Sequence, residues 1–271
     1  MDRDPTVGRR SGIFDRWGNG ARAAAFFVVA VAVAGIGWQL GAAEDEPAAV
    51  QRNSPAVTTI ATPASDCSST APGPMPGNAS DVTTATVDFD GDGTSDVLRV
   101  YQSSGSWHVR ASIAGVDVDD EVIAGSGPQM SAVGGATVDG DALEEAWVKT
   151  GSGSATDIVG LYVYRSCELL RVNHDEDGQP VEFPIGASVT RADGLRCLPA
   201  NAGFEVFEST STDGITYTGS SQVYELVPNL NGPGFVIVPG ASNTLSEANP
   251  PGGAAFQTLT KFECDSLTTI P

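Results

Sequence analysis

Near-neutral bases and thiols are scarce in this chain, with two histidines and four cysteines among 271 residues. The cysteines, Cys67, Cys167, Cys197 and Cys264, form no CxxC or other close pair, so zinc-finger spacing and dithiol redox motifs are absent. No GxSxG, HExxH, phosphate loop or dinucleotide fingerprint occurs. His108, in a strand-like stretch, and His174, in a turn-like acidic stretch, stand in no nucleophile motif, and no pair of carboxylates is marked out for glycoside hydrolysis. Positive charge is scarce too. Five of the 14 basic residues (Arg3, Arg9, Arg10, Arg16 and Arg22) fall in the first 22 positions, leaving nine basic against 31 acidic side chains in the remainder. A body that acidic repels phosphate backbones and anionic lipid, which disfavours nucleic-acid binding and favours metal cations and cationic partners.

What the sequence does have begins with one apolar run. Ala23 to Ala43 reads AAAFFVVAVAVAGIGWQLGAA, 21 residues without a charge. At about 1.5 Å per residue this spans a hydrocarbon core of about 30 Å. Arginines precede it and Glu44, Asp45 and Glu46 follow, so the spacing predicts a single-pass signal anchor with a cytoplasmic tail (residues 1–22) and an extracytoplasmic C-terminal body. The small residues Gly41, Ala42 and Ala43 leave open a second reading, a secreted protein cleaved near Ala43. Residues 44–80 carry six prolines among Ala, Ser and Thr and read as a linker, reaching roughly 110 Å if fully extended. Within it Asn78-Ala79-Ser80 matches a glycosylation sequon, a weak three-residue signal.

Residues 81–271 read as an all-β domain. Expected strands are Thr83 to Asp88, Val97 to Gln102, Trp107 to Ile113, Ile158 to Tyr164, Phe204 to Glu208, Ile215 to Thr218, Gln222 to Val227, Phe235 to Val238 and Phe256 to Phe262. Tyr101, Trp107, Trp147, Tyr162 and Tyr164 are expected in the core or on strand faces. Asp175-Glu176-Asp177-Gly178 reads as an acidic hairpin turn. In an oxidising compartment the four cysteines would pair. Three pairings are possible; the expectation is Cys167 with Cys197, closing a short excursion, and Cys67 with Cys264, tying the ends together.

The most specific pattern is Asp88-Phe89-Asp90-Gly91-Asp92-Gly93-Thr94-Ser95-Asp96. Carboxylates at loop positions 1, 3, 5 and 9 and a carbonyl at position 7 gather hard oxygens around one Ca2+ ion, and Gly93 at position 6 permits the sharp turn. Asp88, Asp90, Asp92, Thr94 and Asp96 are the expected ligands. An EF-hand would place Glu at position 12, where Arg99 stands, and would flank the loop with helices rather than these strand-like stretches. The strand, acidic loop, strand unit resembles the FG-GAP or VCBS repeats of integrin-type β-propellers over residues 83–210. Forty-nine residues after Asp88, Thr137-Val138-Asp139-Gly140-Asp141-Ala142-Leu143-Glu144-Glu145 aligns without a gap and keeps acids at Asp139, Asp141 and Glu145, a weaker second site. A third unit near Cys197, with Phe204 to Phe207 as a strand, carries no acids at the ligand positions.

The resemblance implies two or three propeller-like blades, either an incomplete propeller or a compact β-sandwich. It also implies a non-catalytic, calcium-stabilised binding or adhesion module whose partner is a protein or glycan. An extracytoplasmic hydrolase acting on polysaccharide or envelope polymer is the alternative, and would need a cleft with two converging carboxylates.

Overall fold

The computed structural model describes residue 67, residues 72–123, 129–199 and 203–245, and residues 256, 259–265, 267 and 270. The basic tail, the expected membrane helix at 23–43 and most of the linker lie outside the described residues. Among the described residues no helix is long and apolar enough to cross a membrane.

Every named element is a strand, so the domain is all-β. One sheet is a four-stranded antiparallel meander of β1 (Ser80–Val87), β2 (Asp96–Ser103), β3 (Ser106–Ile113) and β4 (Val116–Ile123). The turns Ser104-Gly105 and Ala114-Gly115 that join β2 to β3 and β3 to β4 put both of their residues at positive φ, the two-residue geometry that matches strand twist. A second meander follows, formed by β5 (Ser131–Ala136), β6 (Glu145–Ser152), β7 (Thr156–Arg165) and β8 (Glu168–Arg171).

β7 is long enough to serve two neighbours. Its second half pairs with β8, and its first half pairs with β10 (Phe183–Ala187). Through β10 the sheet runs on into β11 (Arg191–Cys197), β12 (Phe204–Thr210), β13 (Thr218–Pro228) and β14 (Phe235–Leu245). Short β9 (Asn173–His174) and β15 (Phe262–Glu263) add parallel pairings to β14 and β11. The result is an 11-stranded sheet beside a four-stranded one, neither closed into a barrel, an arrangement compatible with a β-sandwich.

Side-chain alternation explains why β5 to β8 sit in the middle. Tyr162 and Tyr164 of β7, with Ala146 and Val148 of β6, join Val87, Leu98, Val100, Trp107 and Val109 of the four-stranded sheet in one core. Val159, Leu161 and Val163, with Trp147, point the other way into a second core with Phe183, Leu195, Phe204, Leu226 and Ile237. A strand buried on both faces needs an apolar residue at nearly every position, and Ile158-Val159-Gly160-Leu161-Tyr162-Val163-Tyr164 meets that requirement. The five aromatic residues expected inside are all buried.

Three expectations need correction. Of Ile215 to Thr218 only Thr218 is in a strand: Asp213 Oδ1 accepts the amides of Ile215 and Thr216, which bends the chain until β13 begins at Thr218. Among the described residues of the stretch Phe256 to Phe262, only Phe262 lies in a strand, β15, and Phe256 instead packs against Tyr217 in a small third cluster.

The disulfides are Cys67–Cys167 and Cys197–Cys264, not Cys167–Cys197 and Cys67–Cys264. Cys167, in the turn between β7 and β8, packs against the first core together with Cys67, whereas Cys197 and Cys264 belong to the second. Parallel pairing of Leu195 with Phe262 and of Arg196 with Glu263 carries Cys264 alongside Cys197, Cα to Cα 4.7 Å. Each bridge therefore staples one core.

Candidate metal centre

Asp88 to Ser95 joins β1 to β2, and Thr137 to Glu144 joins β5 to β6. In the first loop each aspartate bends the backbone around itself. Asp88 Oδ1 accepts the Gly91 amide and Oδ2 the Gly93 amide, both at 2.9 Å. Asp90 Oδ1 accepts from the amide of Asp92 at 3.3 Å, and Asp92 Oδ1 from that of Thr94 at 2.6 Å. Such side-chain to backbone bonds are the ordinary chemistry of Asx turns. Their consequence is that carboxylate oxygens of Asp88, Asp90 and Asp92 come within 4.8 Å of one another, as three ligands of one ion must.

Asp96 has a different place from the other expected ligands. It is buried, and its two oxygens accept backbone amides, Oδ2 from Phe89 at 3.2 Å and Oδ1 from Ala114 at 2.9 Å. Burial raises its pKa against the lowering effect of those two bonds, and repulsion from Asp90 and Asp88 adds to the rise. Asp96 thus pins the loop to the core and to the β3–β4 turn, while Thr94 lies exposed at the rim.

The second loop reproduces three of the first loop's hydrogen bonds at the same positions. Val138 donates its amide to Glu145 Oε2 at 2.8 Å, as Phe89 does to Asp96; Asp141 donates to Asp139 Oδ1 at 3.1 Å; Leu143 donates to Asp141 Oδ1 at 2.8 Å. Phe89 and Val138, second in each loop, are both fully buried. Asp139, Asp141 and Glu145 also bring carboxylate oxygens within 4.8 Å of one another. Thr137 at the first position offers no carboxylate, and its amide donates to Asp265.

The two loops differ in how their charge is met. In the second, Arg165 at the end of β7 places Nη2 2.5 Å from Asp141 Oδ2 and 3.5 Å from Asp139 Oδ2. In the first, no ion pair to Asp88, Asp90 or Asp92 is found among the described residues. Three converging carboxylates without a basic neighbour suit a hard cation; a loop already holding a guanidinium does not.

The loops also touch. Gly91, at φ 71°, lies where a Cβ would come within 2.9 Å of Leu143 Cδ2 and 3.1 Å of the Ala142 carbonyl oxygen. Sequence spacing identified both loops but missed Arg165 and Glu144, which reach them from 20 or more residues away or from the partner loop. His108 stacks on Tyr101 with ring centroids 4.7 Å apart, and His174 pairs in β9 with Ile237; among the described residues neither belongs to a converging ligand group. The acidic turn after His174 is formed as expected, with Gly178 donating to the His174 carbonyl.

Comparison with protein-family models, with curated proteins and with solved structures returned no match.

Proposed function

We propose that this chain is a non-catalytic extracytoplasmic binding or adhesion module, held at the membrane through residues 23–43, with a calcium ion at Asp88, Asp90 and Asp92 stiffening one end of the β domain. The observation carrying this reading is the convergence of those three carboxylates with no basic partner in contact among the described residues. An all-oxygen carboxylate set favours a hard divalent cation, and the Thr94 carbonyl at position 7 is the natural addition to it. Asp96 acts from beneath as the group that keeps the loop curved.

Two successive four-stranded meanders, each with its acidic loop between the first two strands, support the resemblance to FG-GAP or VCBS repeats. With three carboxylates and no glutamate at position 12, the affinity falls in the range of extracellular modules, roughly 0.1 to 1 mM. Such a site fills only outside the cell, which agrees with the orientation read from the arginines before residue 23. At ten times its dissociation constant, calcium would add about 1.4 kcal/mol to folding stability.

The test is thermal unfolding of the full chain in mild detergent with millimolar calcium or with EDTA. Calcium is expected to raise the melting temperature, and Asp90→Ala to erase the difference. Equal melting of the unaltered chain in both conditions removes the reading. Cross-linking on intact cells followed by mass spectrometry identifies the protein or glycan partner.

A further inference from the structure

We propose that Arg165 is the built-in cation of the second acidic loop, filling the place between Asp139 and Asp141 that a metal would need, so that the chain loads an ion at Asp88–Asp90–Asp92 and none at Asp139–Asp141–Glu145. This rests on the calcium reading of the first loop for its contrast, but not for its geometry. Calcium binds oxygen at about 2.3 to 2.6 Å. Arg165 Nη2 stands 2.5 Å from Asp141 Oδ2, at the distance from that oxygen where a calcium ion would sit. All three side chains of this contact are largely enclosed, exposed by 11% for Arg165, 14% for Asp139 and 15% for Asp141. In so enclosed a place two cations cannot share one pair of carboxylates without strong repulsion.

The arginine is held in position by more than the loop. Its Nη1 donates to the Tyr164 carbonyl at 2.8 Å, and its guanidinium carbon lies 5.2 Å from the centre of the Phe235 ring on β14. A planar guanidinium fixed at its own backbone and stacked on an aromatic face loses little freedom in meeting the carboxylates.

Glu145 provides the independent sign that the loop is a masked ion site rather than an ordinary ion pair. Its side chain is fully buried, Oε2 receives the Val138 amide, and Oε1 is buried with no hydrogen-bond partner. Arg165 reaches two of the three converging carboxylates and leaves the third unmet. A buried carboxylate oxygen without a donor is costly. Remove the guanidinium, and three carboxylate oxygens within one ion's reach remain, none of them with an ion-pair partner among the described residues.

Calcium stoichiometry of the full chain in mild detergent, by calorimetry and by terbium luminescence, tests this. The unaltered chain should bind one ion, lost in Asp90→Ala and kept in Asp139→Asn. Arg165→Gln should bind two, and Asp139→Asn added to it should return the count to one. Arg165→Lys, which keeps a positive charge, should stay at one. Two ions on the unaltered chain, or loss of its ion in Asp139→Asn, overturns the proposal. So does an Arg165→Gln chain with unaltered near-ultraviolet circular dichroism that gains no ion. If Arg165→Gln does not fold, the Asp139→Asn arm decides alone. An unaltered chain that binds nothing, with one ion gained in Arg165→Gln, defeats the calcium reading of the first loop and leaves this one standing.

Discussion

Asp88 and Glu144 exchange hydrogen bonds: the Asp88 amide donates to Glu144 Oε2 at 2.7 Å, and the Glu144 amide donates to the Asp88 carbonyl at 2.9 Å. One residue opens the first acidic loop and the other closes the second, so these bonds tie the two loops together where β1 meets β5. The fit is close enough that Gly135 has no room for a Cβ, which would lie 2.3 Å from Glu144 Oε2 and 2.9 Å from Val87 Cα. A metal at the first loop would thereby stiffen both sheets.

Glu144→Ala should lower stability by about 2 kcal/mol, because it strips a charge-assisted acceptor from a partly buried amide. Glu144→Gln, which keeps an acceptor oxygen, should recover about half of that. Urea unfolding at constant calcium measures both. A Glu144→Ala midpoint equal to that of the parent chain would show the exchange to be energetically idle.

Gly91→Ala joins two penalties. Its φ of 71° is unfavourable for any side chain, and the new methyl would press on Leu143 and the Ala142 carbonyl. Together these should cost about 2 kcal/mol and loosen calcium at the first loop. Gly93, at φ 79° with open space around it, should cost only about 1 kcal/mol when changed to Ala, from conformation alone. The ranking of the two variants by urea midpoint is the readout; Gly93→Ala as costly as Gly91→Ala would mean the loops do not press on each other.

How much of this the sequence disclosed depended on whether the cause was local. β7 was legible because burial on both faces forces a near-unbroken apolar run. β4 was not, since its Val-Asp-Val-Asp-Asp-Glu-Val-Ile pattern looks solvated; only the fold reveals that Asp117 pairs with Arg99 and Arg110, and that Asp119 accepts the Leu169 amide. β5 and β10, rich in glycine or carrying proline, lack strand propensity and are held by their neighbours. The acidic loops announced themselves by spacing because the carboxylate-to-amide bonds that curve each of them, such as Asp88 to Gly91 and Gly93 and Glu145 to Val138, are local in sequence. Arg165 serves residues 24 and 26 positions away, and no spacing rule reaches that far.

The disulfide pairing was hidden for the same reason, being set by the parallel contact of β11 with β15. Peptide mapping without reduction should recover Cys67 with Cys167 and Cys197 with Cys264. Because the bridges close sequence separations of 100 and 67 residues, replacing either pair by serine should cost about 3 to 5 kcal/mol in the chain-entropy account. A peptide joining Cys167 to Cys197 would overturn the fold of both cores.

Stability should fall as pH rises from about 5 to about 7, and Glu121 on β4 should carry much of the fall. Burial raises its pKa to about 7; Arg171 of β8 opposes the rise and Asp119 on its own strand adds to it. Its Oε2 is buried without a hydrogen-bond partner, and the fully buried Tyr162 hydroxyl on β7, likewise unpartnered, has its own pKa raised first by burial and further by Glu121. Between the ordinary glutamate pKa of 4.5 and about 7 the folded chain holds a proton that the unfolded chain has released. Folding is therefore favoured at the acid end of that window and loses support through it, by roughly 2 to 3 kcal/mol for one group. Glu145, Asp139, Asp96 and Asp193 are raised as well and act in the same direction, so the decisive quantity is a difference between two proteins. Glu121→Gln should match the parent chain near pH 4.5 in urea unfolding and exceed it increasingly toward pH 8. Parallel curves across that range would mean that Glu121 is ionised in the folded state, and that Arg171 compensates its burial in full.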